Sequence, residues 1–321
     1  EAIAGELGMA HEKAAACLAS AREKLFAARG RRIRPGRDDK VLASWNALMI
    51  GGMAHAARVF DRADWLASAR RALDFVHGTL WKDERLLATF KDGKAHLNAY
   101  LDDHAFLLAA LLEMLQADFR AADLEWAGEI GEALLERFHD REGGGFFFTS
   151  HGHERLIHRG KPGHDNATPS GNGVAAWALN RLSFLTGEVR FQQAAEGTLA
   201  LFWRALARNP AGFGSLLATL AETLVPPRMV IVNGPAPALP AWGEILRREY
   251  LPGSLVLILP DEPRGLPPPL AKPAGPQVNA WVCEGVTCMA PIPEPDQLRE
   301  SLKAPKIARF SKTRPPGDST R

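Results

Sequence analysis

Two kinds of helical pattern alternate along the first two-thirds of the chain. Residues 47–57 and 105–115 are rich in Ala, Gly and Leu and are apolar almost all round. Residues 58–71 and 125–137 carry a charged face. A helix apolar on every side packs among other elements, whereas one with a charged face meets solvent. The two kinds come in pairs. The first pair opens with Asp38-Asp39-Lys40 and Ser44-Trp45-Asn46, runs to about Val59, turns at Asp61-Arg62 and returns to about Leu80. The second opens with Asp102-Asp103-His104, runs to Phe119 and returns from about Asp123 to His139. The third opens with Asp165-Asn166 and Pro169-Ser170-Gly171-Asn172-Gly173, runs to Leu185 and returns to Leu206. A shorter helix at 213–224 begins a fourth. One αα-hairpin cannot bury its apolar faces alone, so successive pairs must stack. Inner apolar helices with outer charged partners describe a mainly α fold, a partial (α/α)6 toroid of which three to four pairs are visible.

Other patterns flank this array. Residues 10–29 predict an amphipathic helix stopped by Gly30. Alternating segments at 85–90 and 95–100, joined by Asp92-Gly93, predict a β-hairpin, and 144–149 with 155–159 predict a second. From about Pro226 the pattern changes. Met229–Val232 and Leu255–Leu259 are continuous apolar runs of buried-strand type. A helix at about 239–250 lies between them, a βαβ pattern; residues 278–282 suggest a third strand and 296–302 a last helix. The expected organisation is a toroid over 1–225, a small α/β subdomain over 226–302 and a disordered tail over 303–321.

Composition narrows the function. The 321 residues are 46% hydrophobic and carry 39 basic against 37 acidic side chains, a net charge of +2. That balance argues against a nucleic-acid or membrane-surface binder. No apolar run reaches membrane-spanning length. Three cysteines, Cys17, Cys283 and Cys288, are too few for a disulfide scaffold and suit a reducing compartment, so a cytoplasmic location is expected. The abrupt start without Met predicts a missing upstream piece.

The chemistry concentrates at the openings of the inner helices, whose N-terminal ends converge on one mouth in a toroid. Asp39, Asp102, Asp103 and Asp165 are the candidate acid/base carboxylates. Trp45, Asn46, His104, Asn166, Ser170 and Asn172 are candidate binding residues, joined by Arg159 and Lys161 from the segment before the third pair. Carboxylates and amides pair with hydroxyls, and an indole covers the apolar face of a sugar. Asp, Asn and Ser at helix starts are also ordinary N-caps, so each single residue has that alternative. His104 serves either as an acid/base or as the partner of a buried group. His151, His153 and His158 are expected on a solvated hairpin tip. No compact metal motif appears, and neither a metal nor a cofactor is expected. Cys283 and Cys288 read as two partly buried thiols of structural role, able to form a disulfide under oxidation.

Several of these segments carry a family resemblance. Arg34-Pro35, Asp38-Asp39-Lys40-Val41-Leu42 and Ser44 to Ile50 resemble the hallmark segment of the YyaL/spermatogenesis-associated protein family. Leu101 to Phe106, Gly144-Gly145-Phe146-Phe147, Ala167 to Asn172, and Cys283 with Cys288 resemble further family segments. The resemblance runs from near residue 1 to about 302. It implies a thioredoxin-like domain upstream and a six-hairpin-glycosidase-like toroid related to N-acylglucosamine 2-epimerases. His104 stands where the family usually carries Tyr, and Ala47 where it usually carries Gly. The expected function is therefore a carbohydrate-binding or carbohydrate-active toroid, hydrolase- or epimerase-like, with a small sugar as ligand. The alternatives are a non-catalytic scaffold for the thioredoxin-like domain or a thiol-redox partner.

Overall fold

The computed structural model describes residues 2–260, 265–273, 275–285 and 287–303. Residues 1–40 form one compact unit and residues 41 onward a second. In the first, α1 (Ala2–Glu6) precedes α2 (His11–Gly30), the helix expected at 10–29.

In the second unit the predicted pairs form. They are α3 (Ala43–Phe60) with α4 (Ala63–Phe75), α5 (Leu101–Ala117) with α6 (Ala121–Arg137), and α7 (Gly171–Thr186) with α8 (Val189–Arg208), followed by α9 (Gly214–Leu224). Each first helix packs on its return helix, and the first helices pack side by side in the order α3, α5, α7, α9. This is a partial α/α toroid. The middle of the inner row is sealed: α5 buries Ala105, Phe106, Leu107, Leu108, Leu111 and Leu112 on successive faces. The first inner helix departs from expectation. Although apolar all round, α3 buries only Ala43, Ala47, Ile50, Ala54 and Ala57, while Trp45, Met49 and Phe60 are exposed. It packs chiefly against α5 and α4, with smaller contacts to the segments Val41–Leu42, Arg85–Lys91 and Leu239–Arg248.

Between α4 and α5 the chain forms an antiparallel sheet. Strand β1 (Val41–Leu42) pairs with β3 (Arg85–Lys91), which also pairs with β2 (Trp81–Lys82) and β4 (Lys94–Asn98). The β3–β4 hairpin is the one predicted at Asp92-Gly93. The second predicted hairpin does not form. Its backbone groups are taken by other partners: the Asn172 amide brackets Phe146, accepting from its N–H at 2.7 Å and donating to its carbonyl at 2.9 Å. Phe147 N–H bonds to the Phe138 carbonyl and Phe148 N–H to Gly160. Gly144 and Gly145 adopt φ of +71° and +70°, and a Cβ on Gly144 would lie 2.5 Å from the Gly197 carbonyl oxygen. Left-handed backbone at such close approach needs glycine and prevents a regular strand.

The C-terminal segment is α/β as expected. β5 (Arg228–Gly234) pairs in parallel with β6 (Ser254–Pro260), with α10 (Leu239–Arg248) between them. β7 (Asn279–Glu284) pairs antiparallel with β5, and β8 (Thr287–Cys288) lies at the edge; α11 (Pro295–Lys303) follows. The continuous apolar runs are explained by burial on both faces. Met229, Ile231, Leu255 and Leu257 join the core of the helical array, while Val230, Val232 and Val256 pack with Trp242 and Leu298 from α10 and α11. The Gln116 side chain of α5 accepts from the Val256 N–H at 3.2 Å. The core thus runs without a break across the boundary expected at 225/226. Of the tail expected at 303–321, only Lys303 falls inside the described residues. Cys283 and Cys288, read from sequence as two thiols, are joined in a disulfide, because they sit directly opposite each other on β7 and β8.

The seams between inner helices depend on glycine. A Cβ on Gly173 would lie 1.9 Å from the Ser215 hydroxyl oxygen and 2.6 Å from its Cβ. Gly173→Ala is therefore expected to cost about 1–3 kcal/mol by overpacking. Gly52→Ala, where an added methyl meets nothing within 4 Å, should be neutral or stabilising by up to about 1 kcal/mol. Paired urea melts check both.

Candidate functional site

The N-terminal ends of the inner helices are tied to one another by side chains from the loops and first turns. Asp103, in the first turn of α5, accepts from the Tyr100 N–H at 2.8 Å and from the Ser44 N–H at the start of α3 at 2.9 Å. It caps its own helix and its neighbour together. Asp165, in the loop before α7, accepts from the Ser170 N–H at 2.8 Å, from the Ser215 N–H of α9 at 2.8 Å and from the Ser215 hydroxyl at 2.6 Å. Ser170 caps α7 by accepting from the Gly173 N–H at 3.0 Å. At the α5–α7 seam, Gly171 leaves room for Asp102: a Cβ there would come within 2.2 Å of Asp102 Oδ1. The polar openings of α3, α5, α7 and α9 therefore form one row.

Within that row the carboxylates have different environments. The half-buried Asp102 has a buried Oδ1 without a well-formed hydrogen bond. Burial, then the adjacent Asp103 charge, raise its pKa to about 6, and the nearby Gly171 amide offsets only part of this. Burial also pushes Asp103 up, against the pull of the Tyr100 and Ser44 donors. Asp165 shows the opposite result. Burial raises it, but the hydrogen bonds from Ser215 and Ser170 prevail and hold it below the usual carboxylate range. Its lone pairs are spent on two helix starts, so it lacks the raised pKa of a general acid. Asp39 is exposed and belongs to the unit formed by residues 1–40.

His104 is buried in α5. Its Nδ1 donates to the Tyr100 carbonyl at 2.9 Å, which leaves Nε2 as an acceptor with no protein partner. Burial depresses its pKa to about 4, so the ring is neutral at pH 7. A cavity of about 310 Å³ opens beside it, lined by Asn98, Arg137, Ser150 and His151 among others. A larger cavity of about 500 Å³ lies at the other end of the array, beside Val59 and Ala117 near the C-terminal ends of α3 and α5.

The remaining candidates divide. Trp45 stands exposed at the start of α3 and presents a free indole face. Asn46 donates to the Leu42 carbonyl at 2.8 Å. Asn166 is exposed and holds the Ala167 N–H at 2.9 Å. Asn172 is corrected from a cavity residue to a clamp: it is fully buried, and besides bracketing Phe146 it donates to the Pro162 carbonyl at 2.8 Å. Arg159 and Lys161 both lie over the Phe147 ring, at 4.1 and 5.2 Å, and hold their own loop. Arg159 donates to the Thr149 carbonyl; Lys161 donates to Asp140 at 2.8 Å and to the Gly144 carbonyl at 2.9 Å. His153, expected to be solvated, is tied down instead: its Nδ1 meets the Ser150 hydroxyl at 2.8 Å and its ring lies tilted against Tyr100, with centroids 4.8 Å apart. Ser215 and Asp140 went unnoticed in the sequence, and Ser44 was noted there only as part of a helix opening. Ser215 carried a signal, a hydroxyl at a predicted helix start; its partner Asp165 lies 50 residues away. Among the described residues, no group of three or more His, Cys, Asp or Glu is placed to hold a metal ion, and no helix is long and apolar enough to cross a membrane.

No family model matches the chain. Relatives do. It is 29% identical over 325 residues to human spermatogenesis-associated protein 20, covering 94% of this chain and 41% of that protein. The mouse protein of the same name is 26% identical over 321 residues, with the same coverage. The family resemblance is borne out. The chain spans about two-fifths of the length of these relatives. Among solved structures, a cellobiose 2-epimerase from Spirochaeta thermophila is similar at a TM-score of 0.42 and 21% identity, over 51% of this chain and 43% of that one. An inactive variant of an α-1,6-mannanase from Salegentibacter, in complex with α-1,6-mannotriose, is similar at 0.42 and 17%, over 50% and 46%.

The Asp102 environment fixes a sign for its effect on stability. A carboxyl whose folded pKa is raised from 3.8 to about 6 binds more protons folded than unfolded. It therefore lowers stability as pH rises through that window. Wild type should lose stability relative to Asp102→Asn between about pH 4 and pH 6, and the difference should level off above. The buried His104 acts in the opposite direction in both proteins, so it drops out of the comparison. Chemical denaturation of both proteins across pH 3.5–8 measures this.

Proposed function

We propose that the row of inner-helix openings is a carbohydrate-binding site, and that Asp102 makes it carbohydrate-active as a general acid/base. One observation carries the proposal: Asp102 is a half-buried carboxyl, raised to about 6, beside a second carboxylate whose two oxygens are already committed to backbone N–H groups. A general acid or base works best when its pKa lies near the working pH. Burial pushes both carboxyls up, and they differ in their partners: Asp103's oxygens are held by two backbone N–H groups, whereas Asp102's Oδ1 is poorly bonded. Asp103 positions the helix starts and supplies the negative charge; Asp102 holds the transferable proton. Such a group protonates a leaving oxygen in hydrolysis or moves a proton at a sugar carbon in epimerisation.

Binding follows from the neighbouring residues. The exposed Trp45 indole covers an apolar sugar face. The family resemblance, with its implied six-hairpin-glycosidase-like toroid, points to the same substrate class. In the whole protein the resemblance adds an upstream thioredoxin-like domain as partner and, with the low cysteine count, a cytoplasmic setting.

The test is a thermal-shift screen of mono- and disaccharides on the chain. At least one sugar should raise the melting temperature at millimolar concentration, and Trp45→Ala should abolish the shift. Conversion of that sugar should fall on the order of 10²- to 10⁴-fold in Asp102→Asn with the fold intact. No shift with any sugar, or full turnover by Asp102→Asn, would overturn the proposal.

A further inference from the structure

The β7–β8 hairpin holds chemistry that the carbohydrate proposal does not use. Cys283 and Cys288 face each other across the hairpin and are disulfide-bonded. Their surroundings are unequal. Cys283 is buried, with its side chain in the main core, whereas Cys288 is exposed on the edge strand. The Lys272 ammonium lies 3.3 Å from Cys288 Sγ. The charged side chain of the hairpin itself, Glu284, is paired with Arg228 at 3.1 Å, so the charge beside Cys288 is positive.

The bond closes a short ring. The cysteines are five positions apart and already joined by strand pairing. A cross-link over so short a loop removes little chain entropy from the unfolded state. The position is poor for a staple, and the exposed sulfur beside a cation is suited to exchange.

We propose that Cys283–Cys288 is a reversible dithiol/disulfide exchange site whose partner is a dithiol. In the reductive direction a partner thiolate attacks the exposed Cys288 Sγ. The Cys288–Cys283 bond breaks, and Cys283 leaves as a thiolate that takes up a proton. The partner's second thiolate then attacks its own sulfur in the mixed disulfide, releasing Cys288 as a thiolate held by Lys272. The protein gains two electrons and ends with a Cys283 thiol and a Cys288 thiolate; the partner becomes a disulfide. The reverse sequence reduces a partner disulfide, with Cys288 as the attacking group.

The experiment uses the 321-residue chain with Cys17→Ser, which removes the other thiol. The protein is equilibrated with reduced and oxidised dithiothreitol, and the thiols are trapped and counted by mass spectrometry. The pair should cycle completely between disulfide and dithiol without loss of the folded circular dichroism spectrum. In the reduced protein, Cys288 alkylation by iodoacetamide should follow a pKa below the ~8.5 of an ordinary cysteine, and Lys272→Gln should raise it by roughly one unit. A pair that stays as thiols in oxidised dithiothreitol, a disulfide that yields only on unfolding, or a Cys288 pKa unmoved by Lys272→Gln would each overturn the proposal.

Discussion

The architecture of this protein depends on capping between helices. An inner helix of an α/α array exposes unsatisfied N–H groups at its start, and those starts crowd together. Here two aspartates each serve two helices. Asp103 bonds the starts of α5 and α3, and Asp165 bonds those of α7 and α9. A cap of this kind contributes about 1 kcal/mol per helix end, and each aspartate also fixes the spacing of neighbouring helices. The glycines at 171 and 173 allow that spacing. Substitution there would push Asp102 or Ser215 out of place.

The candidate site is a consequence of the same constraint. Asp103 is anchored by the helices it caps, so its charge stays beside Asp102. Asp102 is half-buried at the next seam, and its pKa rises. The three carboxylates thus share one row but differ in what their oxygens touch. Asp165, less buried and with its oxygens bonded, falls in pKa; Asp102, with a buried oxygen poorly bonded, rises, and the more deeply buried Asp103 rises despite its two donors.

Much of the fold was legible in the sequence. The helical pairs were readable because apolar inner helices and charged outer ones differ in composition over many residues. The C-terminal strands were readable because both faces of β5 and β6 are buried, which leaves uninterrupted apolar runs. The loop at 144–159 was not readable as it stands. Its alternating residues suggested strands, but the Phe146 backbone is claimed by Asn172, 26 positions away. The site was legible as a set of helix openings and not as roles. Asp102, Asp103 and Asp165 look alike in sequence; only the long-range partners Ser44, Gly171 and Ser215 tell them apart.

Amide hydrogen exchange at the inner-helix starts tests this account most directly. The Ser44, Ser170 and Ser215 amides should be protected at a level near that of the helix interiors. Asp103→Ala should release Ser44 and Tyr100 while Ser170 and Ser215 stay protected, and Asp165→Ala should release Ser170 and Ser215 together while Ser44 stays protected. Exchange of these amides at loop rates in the wild type, or no change in either variant, would contradict the claim that two aspartates hold the row of helix starts together.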